Sequence, residues 1–175
     1  MRMYLKKTER VIHPLDPIVD TDSRILILGS LPSPRSREQK MYYGNLRNRF
    51  WAVLAALWNE PLPTDNDAKI AFCYTHHVAL WDVIHSCQIH GASDASIKDV
   101  EPNDVAALLK QAPITTIFTT GGAAQRLYHR YLERSCGMKA VALPSTSPAN
   151  ARYRLDDLIA AYRPVRSAAE ADTVL

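Results

Sequence analysis

The chain has 175 residues, 47% of them hydrophobic, which is enough to bury one sizeable core and short for two. Its 21 Lys and Arg against 18 Asp and Glu leave a formal charge of +3, which permits a polyanionic partner without demanding one. Cys73, Cys87 and Cys136 lie far apart with no C-x-x-C spacing, so they assemble neither a zinc knot nor a thiolate cluster, and no window reaches the roughly 18 apolar residues of a membrane span.

The expectation is therefore a single domain over residues 1–175, cytoplasmic and monomeric, with reduced thiols and neither metal nor other cofactor. Residues 1–20 and the tail after Pro164 show weak periodicity and read as flanking segments that wrap an edge or move.

Residues 24–29, Arg-Ile-Leu-Ile-Leu-Gly, form a short apolar run ending in Gly, the pattern of a strand buried on both faces of a parallel sheet. A polar loop with two prolines follows. Asn48 can then cap a helix over 49–59, in which Phe50, Val53, Leu54 and Leu57 recur at helical spacing. Residues 77–84 and 114–119 read as two further buried strands. A helix over 101–110, with Pro102 in its first turn, and another over 121–133, with Ala124, Leu127, Tyr128 and Tyr131 on one stripe, read as crossovers. A strand over 139–143, a Pro-Ser-Thr-Ser-Pro turn and a helix over 150–162 complete the pattern. Four strands alternating with helices predict an α/β fold, a three-layer α/β/α sandwich around a mostly parallel four-stranded sheet.

In open parallel sheets ligands sit beyond the carboxyl ends of the strands, and the least ordinary stretches of the chain lie there. Gly29-Ser30-Leu31-Pro32-Ser33-Pro34-Arg35-Ser36 and Met41-Tyr42-Tyr43-Gly44-Asn45-Leu46-Arg47-Asn48-Arg49-Phe50-Trp51 suit a loop that wraps a flat polar ligand. They hold neither the G-x-G-x-x-G of a dinucleotide site nor the Gly-Lys-Ser/Thr of a phosphate loop. Asp82 sits in an otherwise apolar strand, where an ionised carboxylate costs several kcal/mol unless partnered. Either it reads a ligand edge, or it is a structural residue holding a loop amide or His85.

The run Tyr42-Tyr43-Gly44-Asn45, then Asn48-Arg49-Phe50-Trp51, resembles the first motif of the uracil-DNA glycosylase superfamily, in the form of its hypoxanthine (deoxyinosine) branch. Ala79 to Cys87 and Ser93-Asp94-Ala95-Ser96-Ile97-Lys98 are similar to that branch's middle motif, and Leu143-Pro144-Ser145-Thr146-Ser147-Pro148-Ala149-Asn150 to its last. Together they cover roughly residues 13–162. Leu46 stands where the branch commonly has Pro, and Thr120-Gly121 where it has Asn-Gly.

The resemblance implies base excision from DNA carrying a deaminated base, by simple hydrolysis, because no motif positions a lysine for a Schiff base. Hypoxanthine is the favoured base, with uracil second. Tyr43 resembles the aromatic on which the everted base stacks, with Gly29 and Ser30 beside it. Asp82 aligns with the residue that reads the base edge, an Asn in enzymes specific for uracil. An ionised carboxylate there accepts the proton of a ring nitrogen and cannot donate to a carbonyl. Asn48, with Asn45 second, is the candidate for positioning water or the scissile sugar, since Leu31 replaces the usual acid or amide of the first motif. A helix cap is the competing role for Asn48, and the two are compatible. Ser33, Ser36, Ser145, Ser147, Pro148 and Asn150 are the candidates for gripping the DNA backbone. Uracil enzymes have a His where Leu143 stands.

Two other classes compete. A serine hydrolase would use Ser30, but Gly29-Ser30-Leu31-Pro32-Ser33 lacks the second glycine of the nucleophile elbow. A non-catalytic Rossmann-like module would cradle a nucleotide phosphate on Thr120-Gly121-Gly122, where a helix opens.

Overall fold

The computed structural model describes residues 7–171. Residues 1–6 and 172–175, parts of the two expected flanking segments, lie outside the described range. Two sheets organise the chain. The larger is parallel and four-stranded, built from β2 (Ile25–Gly29), β3 (Val78–Asp82), β6 (Thr116–Thr120) and β7 (Ala140–Leu143) in the order β3-β2-β6-β7. These are the four expected strands, shifted or trimmed at their ends.

The strand β2 shows why the sheet has two covered faces. All five of its residues are buried, and the period of two divides them. Ile25 and Ile27 point into one core with Phe50, Trp51, Leu54, Phe72, Leu158 and Tyr162. Leu26 and Leu28 point into another with Val105, Leu108, Tyr128 and Leu132. The first core is covered by α2 (Phe50–Leu57), α3 (Asn66–Thr75) and α7 (Leu155–Ala169), the second by α4 (Val105–Leu108), α5 (Gly122–Tyr131) and α6 (Glu133–Cys136). The expected three-layer α/β sandwich is thus present. No helix among the described residues is long and apolar enough to cross a membrane.

The smaller sheet is absent from the expectation. It is antiparallel, in the order β1-β4-β5, from β1 (Thr8–Ile12), β4 (Ile84–His90) and β5 (Lys98–Pro102). The single strand expected over 77–84 divides at Val83. Val83 and Ile84 still donate their N–H groups to the carbonyls of Gly29 and Ser30. The buried Asn103 amide donates to the carbonyls of Asp82 and Ile84, satisfying both sides of the bend where the chain passes from one sheet to the other.

Other boundaries also differ. Glu101 and Pro102, expected in a helical first turn, end the edge strand β5, where a missing N–H is tolerated, and Asp104 caps the helix that follows. The proline loop after β2 contains a short helix, α1 (Pro34–Gln39), capped by the Ser33 hydroxyl with Pro34 in its first turn. Helix α3 was not anticipated; only three of its ten residues are buried, so its apolar stripe is thin.

The last helix begins at Leu155, five residues later than expected, and continues through Pro164 to Ala169. A proline in a helix interior costs about 3 kcal/mol. Here it lies on the exposed side, while Leu158, Tyr162, Val165 and Ala169 recur at 4-3-4 spacing and are fully buried, and Arg166 donates to the Leu57 carbonyl. Burial of Val165 and Ala169 offsets the broken hydrogen bond, so these two residues carry the helix past Pro164 against the core.

Candidate active site

At the carboxyl end of the parallel sheet, Gly29 and Asp82 are register partners on β2 and β3. A Cβ on Gly29 would lie 2.5 Å from Asp82 Oδ1, so glycine is what leaves room for the carboxylate. Asp82 is buried. Its Oδ2 accepts a hydrogen bond from His13 Nε2 at 2.7 Å, with both side chains almost fully enclosed. The backbone N–H of Leu15 donates to His13 Nδ1 at 3.3 Å, which assigns the imidazole proton to Nε2. The partner of Asp82 is therefore His13, not His85, whose side chain is exposed.

Above this floor stands an aromatic wall. Tyr43 stacks on Phe50 with ring centroids 3.7 Å apart and planes 14° from parallel, and its hydroxyl lies 3.0 Å from Thr120 Oγ1. Its backbone is left-handed, φ 53°, a costly conformation for a bulky residue that persists only where the surroundings over-determine it. Burial, and next the nearby Asp82 charge, push the phenols of Tyr42 and Tyr43 far above the ordinary tyrosine range, so both stay protonated hydrogen-bonding groups.

Arg49, without a side-chain cap bond, takes the N-cap position of α2 expected of Asn48, and Asn48 lies one residue before it in the cleft lining. Its Oδ1 accepts from the Phe50 N–H at 2.9 Å, at the start of α2, and from the Thr146 hydroxyl at 2.8 Å. Two donors on the oxygen fix the amide orientation and leave the NH2 group to face other partners. Asn45 accepts the Arg47 N–H in a turn, and its carbonyl takes the Asn48 N–H.

The loop after β7 closes the other side. Ser145, Ser147 and Pro148 line the cleft, whereas Asn150 does not: its amide donates to the Ser145 carbonyl and pegs the loop internally. Arg49, a residue the sequence reading gave no role, clamps the same loop, its guanidinium donating to the carbonyls of Thr146, Ser147, Asn150 and Tyr153. Ser33 and Ser36 also reach the lining, but each has structural work. Ser33 caps α1, and the buried Ser36 accepts the Gly44 N–H at 2.9 Å.

These groups enclose a cleft of about 300 Å³, at the lower end of ligand pockets. Gly29, Ser30, Tyr43, Asn45, Asn48 and Asp82 all contribute to it. So do Thr120, offered by the sequence only to a phosphate cradle, and Arg37 and Asp94, to which sequence reasoning assigned no role; Asp94 arrives on the turn between β4 and β5, from the sheet that was not foreseen. His13 lies behind the floor rather than in the lining.

The two competing classes find little support in this geometry. Among the described residues, no histidine ring nitrogen hydrogen-bonds a serine. Gly121, with φ 89°, spends its N–H on the Leu143 carbonyl at 2.8 Å, which removes it from a phosphate cradle.

The cleft thus lies at the carboxyl ends of the parallel strands, walled by Tyr43 and floored by Asp82. The family model of the uracil DNA glycosylase superfamily matches residues 17–166, and the chain belongs to that superfamily. Within it, the chain is 34% identical over 137 residues to the hypoxanthine DNA glycosylase of Methanosarcina acetivorans, covering 78% of this chain and 86% of the relative, and equally to that of Methanosarcina barkeri. A Methanosarcina acetivorans protein solved by NMR superposes with a TM-score of 0.72 at 31% identity, over 91% of this chain and 98% of that one.

Proposed function

We propose that this protein hydrolyses the N-glycosidic bond of hypoxanthine in DNA, leaving an abasic site without cutting the strand, with deaminated DNA in the cytoplasm as its partner. The observation that carries this reading is the Asp82 carboxylate with Oδ2 bound to His13 and Oδ1 directed at the space Gly29 leaves open. Deamination converts adenine N1 from an acceptor into the N1–H donor of hypoxanthine. A carboxylate accepts from that N–H and opposes the lone pair of adenine. Uracil shares a ring N–H, but there it lies between two carbonyls that both repel the carboxylate, whereas in hypoxanthine one side is a C–H, which makes uracil the poorer fit.

The target nucleotide must leave the stack and lodge beside an aromatic face, and Tyr43, backed by Phe50, supplies that face. Bond cleavage builds positive charge on the sugar, which then accepts even a weakly activated water. Asn48, its oxygen already occupied, donates one amide proton to one lone pair of that water; the other lone pair attacks C1′ as the bond to the base breaks, and the water's proton passes to the departing base, directly or through solvent. Ser145 and Ser147, on the loop that Arg49 clamps, are the groups that would bind the DNA phosphates.

The test is a set of duplexes each carrying one deoxyinosine, deoxyuridine, deoxyxanthosine or deoxyadenosine, treated with hot alkali after incubation. Strand breaks at deoxyinosine with none at deoxyadenosine are expected. No alkali-labile site in any duplex would defeat the reading.

A further inference from the structure

We propose that His13 determines base selectivity by positioning Asp82, an inference that rests on the reading of Asp82 as the residue facing the base. His13 follows β1 directly, its backbone N–H is bound to the His85 carbonyl at 2.7 Å, and its side chain is 2% exposed. The imidazole therefore has little freedom. Leu15 donates to Nδ1, so the single ring proton is on Nε2 and is given to Asp82 Oδ2.

This bond has two consequences for the carboxyl group. It holds the plane of the carboxylate, with Oδ1 against Gly29. It also removes rotation about the last side-chain bond, because turning the group would break the bond to Nε2. With His13 in place the acceptor that distinguishes hypoxanthine from adenine keeps its position. His13 does not line the cleft, so it acts through Asp82 and not on the base.

Two polar substitutions separate position from polarity. In His13→Gln the side-chain amide nitrogen reaches the place of Nε2 and can still donate to Oδ2. In His13→Asn the amide reaches only the place of Nδ1, keeping the contact with Leu15 and losing Asp82. The readout is competition binding with duplexes carrying 2′-fluoro-deoxyinosine or 2′-fluoro-deoxyadenosine at one site, the fluorine destabilising the sugar cation and preventing cleavage. The ratio of the two affinities, taken on one preparation, cancels any difference in folded fraction. His13→Asn should reduce the preference for inosine by about tenfold or more, and His13→Gln should stay within about threefold of the parent. Equal ratios in the parent and His13→Asn, or equal losses in both variants, would overturn the role of His13. If the parent cleaves deoxyinosine but shows no binding preference, the selectivity proposal fails while the function stands. If the parent does not cleave deoxyinosine, the underlying reading itself fails.

Discussion

Gly29 and Asp82 face each other across adjacent parallel strands, and the hydrogen atom of the glycine is what gives the carboxylate its place. A methyl group there would meet Oδ1 at 2.5 Å, at the carboxyl end of β2, against a carboxylate that His13 holds from behind. Gly29→Ala should cost roughly 1–3 kcal/mol of stability, as overpacking does elsewhere, and should displace Asp82. Denaturant unfolding together with cleavage of a deoxyinosine duplex would check it. An active, undisturbed alanine variant would mean that the floor is not as tight as described.

Asn48 carries two duties that substitution can divide. Asn48→Asp keeps an oxygen for the Phe50 N–H and the Thr146 hydroxyl, so both bonds should survive, whereas Asn48→Ala loses both and should cost about 1–3 kcal/mol. Both remove the amide protons, and both should lower kcat by about 100-fold or more. If Asn48→Asp kept full turnover, the amide would have no part in holding water.

The Arg49 clamp is a prediction about affinity. Arg49→Met would remove the guanidinium from four carbonyls of the Thr146–Tyr153 segment, of which those of Thr146, Ser147 and Asn150 keep a backbone N–H, at a cost on the order of 1–3 kcal/mol. The loop bearing Ser145 and Ser147 should then exchange its amide protons faster, and KM for duplex DNA should rise more than kcat falls. Hydrogen exchange read peptide by peptide, with steady-state kinetics, would show whether the loop alone is affected.

Alkaline stability follows from the tyrosines. Burial raises the phenols of Tyr42, Tyr43, Tyr128 and Tyr162 above the ordinary value of about 10. Such groups favour the folded state fully below pH 10. Their contribution declines as pH rises beyond that, because the unfolded chain releases phenolic protons that the folded chain retains. Absorbance at 295 nm should therefore show these four ionising only in a cooperative step that coincides with loss of near-ultraviolet dichroism. Smooth titration near pH 10 in a folded protein would contradict their burial.

Much of this was legible in the sequence because it is local. The strand Ile25–Gly29 is apolar throughout since both its faces are covered, and a lone Asp82 in such a setting demands a partner or a purpose. The cleft residues from Gly29 to Asn48 lie within twenty positions of one another, so one continuous stretch carries the wall, with Asp82 of the middle motif as its floor. The identity of the Asp82 partner could not be read this way. His13 is 69 residues distant, in a stretch with no periodic signal, and only the pairing of β1 with β4 delivers it.

The second sheet escaped notice for a related reason. In β1 and β5 nearly every residue is exposed or half-buried, so the alternation that announces a strand is missing, and Pro102 imitates a helix start. The end of α7 was lost to Pro164, since local propensity favours a stop where the packing of Val165 and Ala169 carries the helix on. The amino-acid sequence by itself determined which segments are buried, in what order they cross the sheet and which chemical groups gather at its end. Tertiary structure alone decided which histidine holds the carboxylate, which arginine holds the loop and how far the last helix runs. Those outcomes depend on contacts between residues far apart in the chain, whose energies no local pattern records.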